Sequence, residues 1–357
     1  MKLKLILAAL LFSSGYVYAE TATITQDGDE NSADITQQGY LHADTAATIS
    51  QSGTGNSAEV TQEVSSSPMT ANVSSTGDNN SATVYQRDSW NSVSTITQAG
   101  NNNQASIEQK LTADNSVATI SQVGDSHDNT AMILQPYVNS SNASILQDSS
   151  TRFSDATITF TGNGYNDSAS ISQAYGNDSA ASITQILNNQ TAVINNNNSW
   201  HTEAHTDQYG GDDNSAQIDQ LSISDYATAY ITQEGATNDA SIYQSHGFHS
   251  DATVLQTGDL NISDIDQLSG HNIADIYQEG NENSATVLQS GVYNNANVDQ
   301  VGNMNSATIN QSGTGTVESQ NFASIFQTGD GYVAMISQTG GAGNATTICQ
   351  GGNCSGE

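Results

Sequence analysis

The pattern Ala-x-(Ile/Val)-x-Gln returns along this chain at nearly constant spacing. Residues 281–313 show it most plainly. Ala285, Ala296 and Ala307 each open a copy, and Gln289, Gln300 and Gln311 close them eleven residues apart. From Gln26 to Gln350 there are 28 closing positions, 25 of them glutamine, with a mean spacing of 12 residues. The exceptions are Ser75, Phe160 and Asn196. Each copy alternates with period two, which is the signature of a strand and not of a helix. Its Thr, Ser, Val, Ile and Tyr content suits a pleated surface, and the Gly, Asn and Asp between copies suit tight turns.

Early copies alternate in kind. Two residues before the alanine, even copies carry Asn31, Asn56, Asn80, Asn103 and Asn129, whereas odd copies carry Glu20, Thr45, Met69, Ser92 and Ser116. The structural unit is therefore two strands and two turns, about 24 residues, forming one coil. Repeats that cannot bury a face alone must stack. The expected fold is all-β: a flattened, amyloid-like two-sheet β-solenoid of about 14 coils with two strands per coil. It forms a single domain over residues 20–357.

Two facing sheets leave a thin interior. Alanine fits where they approach, and Ile or Val supplies apolar area worth ~1.5–3 kcal/mol per buried side chain. A buried unpaired amide costs roughly 1–3 kcal/mol. Stacking removes that cost, because each amide donates to its twin in one neighbouring coil and accepts from the other. The expected carboxamide ladder comprises Gln26, Gln37, Gln51, Gln62, Gln98, Gln109, Gln233, Gln244, Gln278, Gln289, Gln300 and Gln311, with Asn31, Asn56, Asn103, Asn238, Asn283, Asn294 and Asn305. It also fixes register, since a slipped coil leaves amides unpaired. Solenoid ends expose strand edges that template further pairing. The sequence shows no dedicated cap, so end-to-end addition of further copies is expected.

Residues 1–19 read as a secretory signal: Lys2 and Lys4, an apolar run from Leu3 to Phe12, then Val17-Tyr18-Ala19. The apolar run is too short to span a membrane, and no later run approaches it. Beyond it, Arg87, Lys110 and Arg152 face all 37 acidic residues. Binding nucleic acid requires phosphate neutralisation by Lys and Arg, so that function class is excluded. Cys349 and Cys354 are the only cysteines. In an exported chain they form a small-loop disulfide, an intermolecular bridge or free thiols, and as a pair they offer too few ligands for a metal site.

The residues resemble the curlin-repeat proteins, the subunits of bacterial curli amyloid fibres. The segment Gln-x-Gly-x-x-Asn-x-Ala-x3-Gln occurs in full seven times, as in Gln26-x-Gly28-x-x-Asn31-x-Ala33-x3-Gln37, Gln51 to Gln62, and Gln98 to Gln109. The resemblance implies a secreted structural subunit that polymerises with itself at the bacterial cell surface, for adhesion and biofilm matrix. It also implies a nucleator subunit, an outer-membrane secretion pore and accessory chaperones as partners. The chain departs from the family in carrying far more repeats. It also lacks a non-repeat targeting segment between signal and repeats.

No catalytic constellation or cofactor site is expected. His201 and His205, like His246 and His249, read as surface histidines, because a strand does not bring positions i and i+4 together as a helix does. Gly210-Gly211-Asp212-Asp213-Asn214 is similar to calcium-binding β-roll loops, but those have a nine-residue period. A calcium-dependent or surface-binding adhesin, and a β-helix enzyme acting on polysaccharide, are the alternative functions.

Overall fold

The computed structural model describes residues 20–39, 45–64, 68–111 and 113–351. The expected signal segment and Cys354 lie outside them. The described residues contain 28 β-strands and no helix, numbered β1 to β28 in chain order. Every strand carries one copy of the repeat, from β1 (Thr21–Asp27) and β2 (Ser32–Gly39) to β27 (Val333–Gln338) and β28 (Ala345–Gln350). Odd-numbered strands pair with odd-numbered strands and even with even, in chain order, so the protein is a two-sheet parallel β-solenoid.

The chain divides into two compact units, Met1–Tyr175 and Gly176–Glu357. Both wind in the same manner. In the first unit, β1 pairs in parallel with β3 (Ala46–Ser52), so that Ala22 meets Ala47, Ile24 meets Ile49 and Gln26 meets Gln51. In the second, β23 (Ser284–Gln289) pairs with β25 (Ser306–Gln311), placing Ala285 on Ala307, Val287 on Ile309 and Gln289 on Gln311. Like stacks on like because a one-residue slip turns every inward side chain out to water.

The core is what the alternation prescribes. Ala, Ile/Val and Gln of most strands are buried, and the residues between them are half-buried or exposed. Substitutions within this pattern are absorbed unevenly. Phe160 is fully buried at a glutamine position. Thr206 of β16 (Glu203–Tyr209) stands in register between Ile183 and Ile231, fully buried, with no partner for its hydroxyl. Among the described residues no helix is long and apolar enough to cross a membrane.

Corners are built by stacking as well. Gly235, Gly258, Gly280 and Gly302 all adopt φ between 111° and 129°. A Cβ on Gly258 would lie 2.1 Å from the carbonyl oxygen of Gly280 in the next coil. Glycine is therefore required twice over, for the dihedral and for the close backbone approach. Three positions after Gln-x, just before the inward asparagine, the chain enters the left-handed region without glycine. Thr237, Leu260, Glu282 and Met304 have φ of 57–61°. Such residues cost of order 1–3 kcal/mol each and persist where surrounding contacts hold them.

Two outcomes follow. Gly258→Ala lowers stability by at least about 2 kcal/mol through the strained dihedral alone, whereas Gly341→Ala, with no atom within 4 Å of the new methyl group, leaves the urea midpoint unchanged. Thr206→Val, which removes an unpaired buried hydroxyl, raises stability by about 1–2 kcal/mol.

Candidate functional site: the enclosed amide rows and the strand edges

Glutamine side chains run along the inside of each sheet as hydrogen-bonded rows. In the first unit, Gln26 donates Nε2–H to Oε1 of Gln51 at 2.8 Å. In the opposite sheet the row runs Gln37, Gln62, Gln86, Gln109, Gln135, with each step 2.8–2.9 Å. Gln98 begins another that continues through Gln122 and Gln147 to Gln173. In the second unit, one row links Gln208, Gln233, Gln256, Gln278, Gln300, Gln327 and Gln350. Its counterpart links Gln220, Gln244, Gln267, Gln289, Gln311 and Gln338.

Every one of these bonds has the same sense: the earlier coil donates and the later coil accepts. The second Nε2 proton is also used. It crosses the core to a backbone carbonyl of the facing sheet, as in Gln51 to Ser32 at 3.0 Å, Gln233 to Ser215 at 2.8 Å and Gln289 to Ile273 at 2.8 Å. Each glutamine thus binds its neighbour along the sheet and fastens the two sheets together. Alternation in sequence does not reveal this second bond, because its acceptor is main chain.

Where glutamine is replaced, the row responds according to side-chain reach. Ser75 still donates its hydroxyl to Gln98 Oε1 at 3.1 Å. Phe160 offers no acceptor, so Gln135 is left with its two carbonyl bonds, to Val117 and Ser141. They are the equivalents of those that Gln109 makes to Val93 and Ser116 in addition to its row bond. Asn196 is one methylene too short. It sits beside Gln220 in register, yet its Nδ2 and Oδ1 and the Oε1 of Gln220 are buried without partners.

The asparagines hold corners and also pair amide to amide in places, as Asn56 Nδ2 with Asn31 Oδ1 and Asn283 Nδ2 with Asn261 Oδ1, both at 3.1 Å. Asn31 Oδ1 accepts the backbone N–H of Asn56 at 3.0 Å, and Asn56 Oδ1 accepts that of Asn80. Asn80 in turn accepts from Asn103. Nδ2 of Asn56 donates to the carbonyl of Gly77 at 2.7 Å, and Nδ2 of Asn103 to Ser126. In the second unit Asn238, Asn261, Asn283 and Asn305 repeat the arrangement, donating to Gly258, Gly280, Gly302 and Gly329. Asn294 belongs to the opposite corner, donating its backbone N–H to Asn272 and accepting from Asn321. The asparagine therefore pins the strained residue before it and the glycine turn of the next coil.

Serines take the asparagine position where asparagine is missing. Ser92, Ser116, Ser141 and Ser179, each two residues before an inward position, are buried. Ser116 Oγ accepts the backbone N–H of Ser141, and Ser141 Oγ that of Asp167. Ser92 and Ser116 stand out in the sequence as the residues of odd copies at this position, whereas Ser141 and Ser179 do not. Their constant offset from the first inward residue of the repeat is the signal that identifies them.

Four segments match the curlin associated repeat model: residues 28–63, 77–110, 271–302 and 280–313. They include the corners just described, with Asn31, Asn56, Asn80, Asn103, Asn283 and Asn294 in place. The chain carries curlin repeats. No curated protein matches this curlin-repeat chain.

The histidines singled out in sequence go separate ways. His201 joins an outer stack with Tyr226, His249, His271 and Tyr293, whose successive ring centroids are 4.5–5.5 Å apart. Burial and then the neighbouring His249 depress the His271 imidazole below its ordinary value. His205 lies on a sheet face and pairs with Asp207. Among the described residues no three His, Cys, Asp or Glu side chains cluster to hold a metal. Cys349 is disulfide-bonded, and Cys354 lies outside the described residues.

Two outward aspartates interrupt apolar columns. Asp299 lies in register between Tyr277 and Phe326, and Asp266 between Tyr243 and Leu288. Burial raises both carboxyl groups above the usual range, and the nearby Glu279 and Asp264 carboxylates add to it. A raised acid binds its proton more tightly folded than unfolded, so the fold gains as pH falls from neutral through the raised value. Asp207 runs the other way. Although burial opposes it, pairing with His205 lowers its carboxyl, so its contribution is lost only at more acid pH.

Asn196→Gln completes the interrupted row and raises unfolding stability by about 1–3 kcal/mol, read from the urea midpoint. Asp299→Asn flattens the rise in urea midpoint between pH 7 and pH 5. An equally steep rise in the variant assigns the effect to other groups.

Proposed function

We propose that the protein is the structural subunit of an extracellular curli-like amyloid fibre, polymerising end to end at the bacterial cell surface for adhesion and biofilm matrix. The observation that carries this reading is the shared sense of the amide rows within each unit, with unlike groups left on the first and last even strands. At β2, Gln37 donates to Gln62 while its Oε1 is buried with no partner. At β28, Gln350 receives from Gln327 and turns its own Nε2 to a backbone carbonyl. An acceptor is left at β2 and a donor at β28, which suits head-to-tail addition of a second copy in the same orientation. The parallel, in-register stacking of identical rungs is the geometry of cross-β assembly.

The curlin repeats support the same reading. A secreted, surface-attached chain fits the expected signal segment and the acidic composition, which limits association before assembly. A nucleator, an outer-membrane pore and accessory chaperones complete the proposed system. They rest on the family resemblance.

Purified residues 20–357 are expected to show a lag in thioflavin fluorescence that seeds abolish, and a fibre-diffraction spacing of about 4.8 Å. Replacing Gln289, Gln300 and Gln311 together by alanine lengthens the lag. Chains that stay monomeric for days in quiet, seeded solution rule the reading out.

A further inference from the structure

On the outer face of the even-numbered strands of the second unit, three side chains form a connected line. Ser182 of β14 (Ala180–Ile186) stands in register with His205 of β16. Ser182 Oγ is hydrogen-bonded to His205 Nδ1. His205 Nε2 lies 2.9 Å from Asp207 Oδ2. The imidazole is 37% exposed and the carboxylate 21%, so the line is open to solutes yet partly shielded. Nothing in the amide rows or the corners requires it.

From this arrangement we infer that Ser182, His205 and Asp207 form a nucleophile–base–orienting line that hydrolyses small neutral aryl esters. The chemistry is that of an activated hydroxyl: a serine in reach of a base that a third group orients. With Nε2–H donated to Asp207, Nδ1 carries the lone pair that faces the serine. His205 Nδ1 takes the Oγ proton as Oγ attacks the ester carbonyl. The tetrahedral adduct expels the aryl oxide, which receives that proton from the imidazolium. Water then attacks the acyl-serine with the same base, releasing the acid and restoring the hydroxyl. One ester and one water give one acid and one phenol.

The surroundings select the substrate. Glu203, Asp207 and Glu234 make the face negative, which disfavours anionic esters. Tyr230 stands in register with His205, its ring centroid 6.2 Å from the imidazole, and gives an aryl group an apolar neighbour. Burial first, then Glu203, pushes the Tyr230 hydroxyl up to about 12, and burial with Asp207 does the same for Tyr209. Both phenols therefore stay protonated at neutral pH. The hydrogen bond to Asp207 raises His205, against the opposing effect of burial, and Glu203 adds to it. Activity should accordingly rise with pH through a value above that of an ordinary imidazole. An aryl ester is the class the line can cleave, because its leaving group needs little further activation.

The test uses residues 20–357 with two probes, 4-nitrophenyl acetate and a fluorophosphonate that loses fluoride on bonding to an activated serine. The fluorophosphonate label maps to Ser182 by peptide mass, and 4-nitrophenol is released in a burst of one equivalent per chain. Ser182→Ala removes label and burst. His205→Gln slows acylation about 100-fold with thioflavin-positive assembly unchanged. Ser241→Ala, which alters an outward serine bonded to Asp264, keeps both. Label on other serines only, or undiminished hydrolysis in Ser182→Ala, overturns the inference. Assembly is scored separately, so esterase loss and fibre loss are distinguishable.

Discussion

A carboxamide both donates and accepts, and in this protein it does so along one axis. That property makes a glutamine core possible. An isolated buried amide is a penalty, but a row of them at the spacing of stacked strands satisfies each member through its neighbours. The second proton of each amide binds the opposite sheet, so the same residues hold the coils in stack and the two layers in contact. Alanine and the β-branched residue supply the apolar volume. Without the amides they would allow the strands to slide.

The corners obey the same logic with different residues. Glycine is forced where one coil's backbone meets the next at van der Waals contact. Asparagine lies just beyond, its oxygen on a main-chain N–H and its nitrogen on a turn carbonyl. Between them, residues such as Leu260 and Met304 take left-handed backbone angles that their side chains disfavour. The turn therefore depends on its neighbours above and below, and one coil alone would not keep this shape.

Period-two alternation in Ala-x-(Ile/Val)-x-Gln made the strands, their inward faces and the parallel two-sheet solenoid legible before any coordinates. The curlin repeats were legible from Gln-x-Gly-x-x-Asn for the same reason: each letter has a separate physical task. Other features were hidden. The cross-core bond from Gln233 to Ser215 ends on main chain, which carries no sequence signal. Ser116 was visible at the asparagine offset, but that its hydroxyl accepts the N–H of Ser141 in the next coil was not, because a serine hydroxyl has no fixed partner in sequence. Ser182 and His205 are 23 residues apart and become neighbours only when the length of that coil is known. The short reach of Asn196 shows why a conservative change fails inside: one methylene decides whether an amide finds its twin.

The shared sense of the glutamine bonds has an electrical consequence. Backbone dipoles in a sheet largely cancel, leaving little net moment. The glutamine amides joined in rows do not cancel, because within each unit every Gln-to-Gln bond points its nitrogen toward the later coil. Each unit therefore possesses an axial polarisation contributed by side chains, with a head and a tail that differ in sign, and reversing the chain direction within a stack would set like poles against each other.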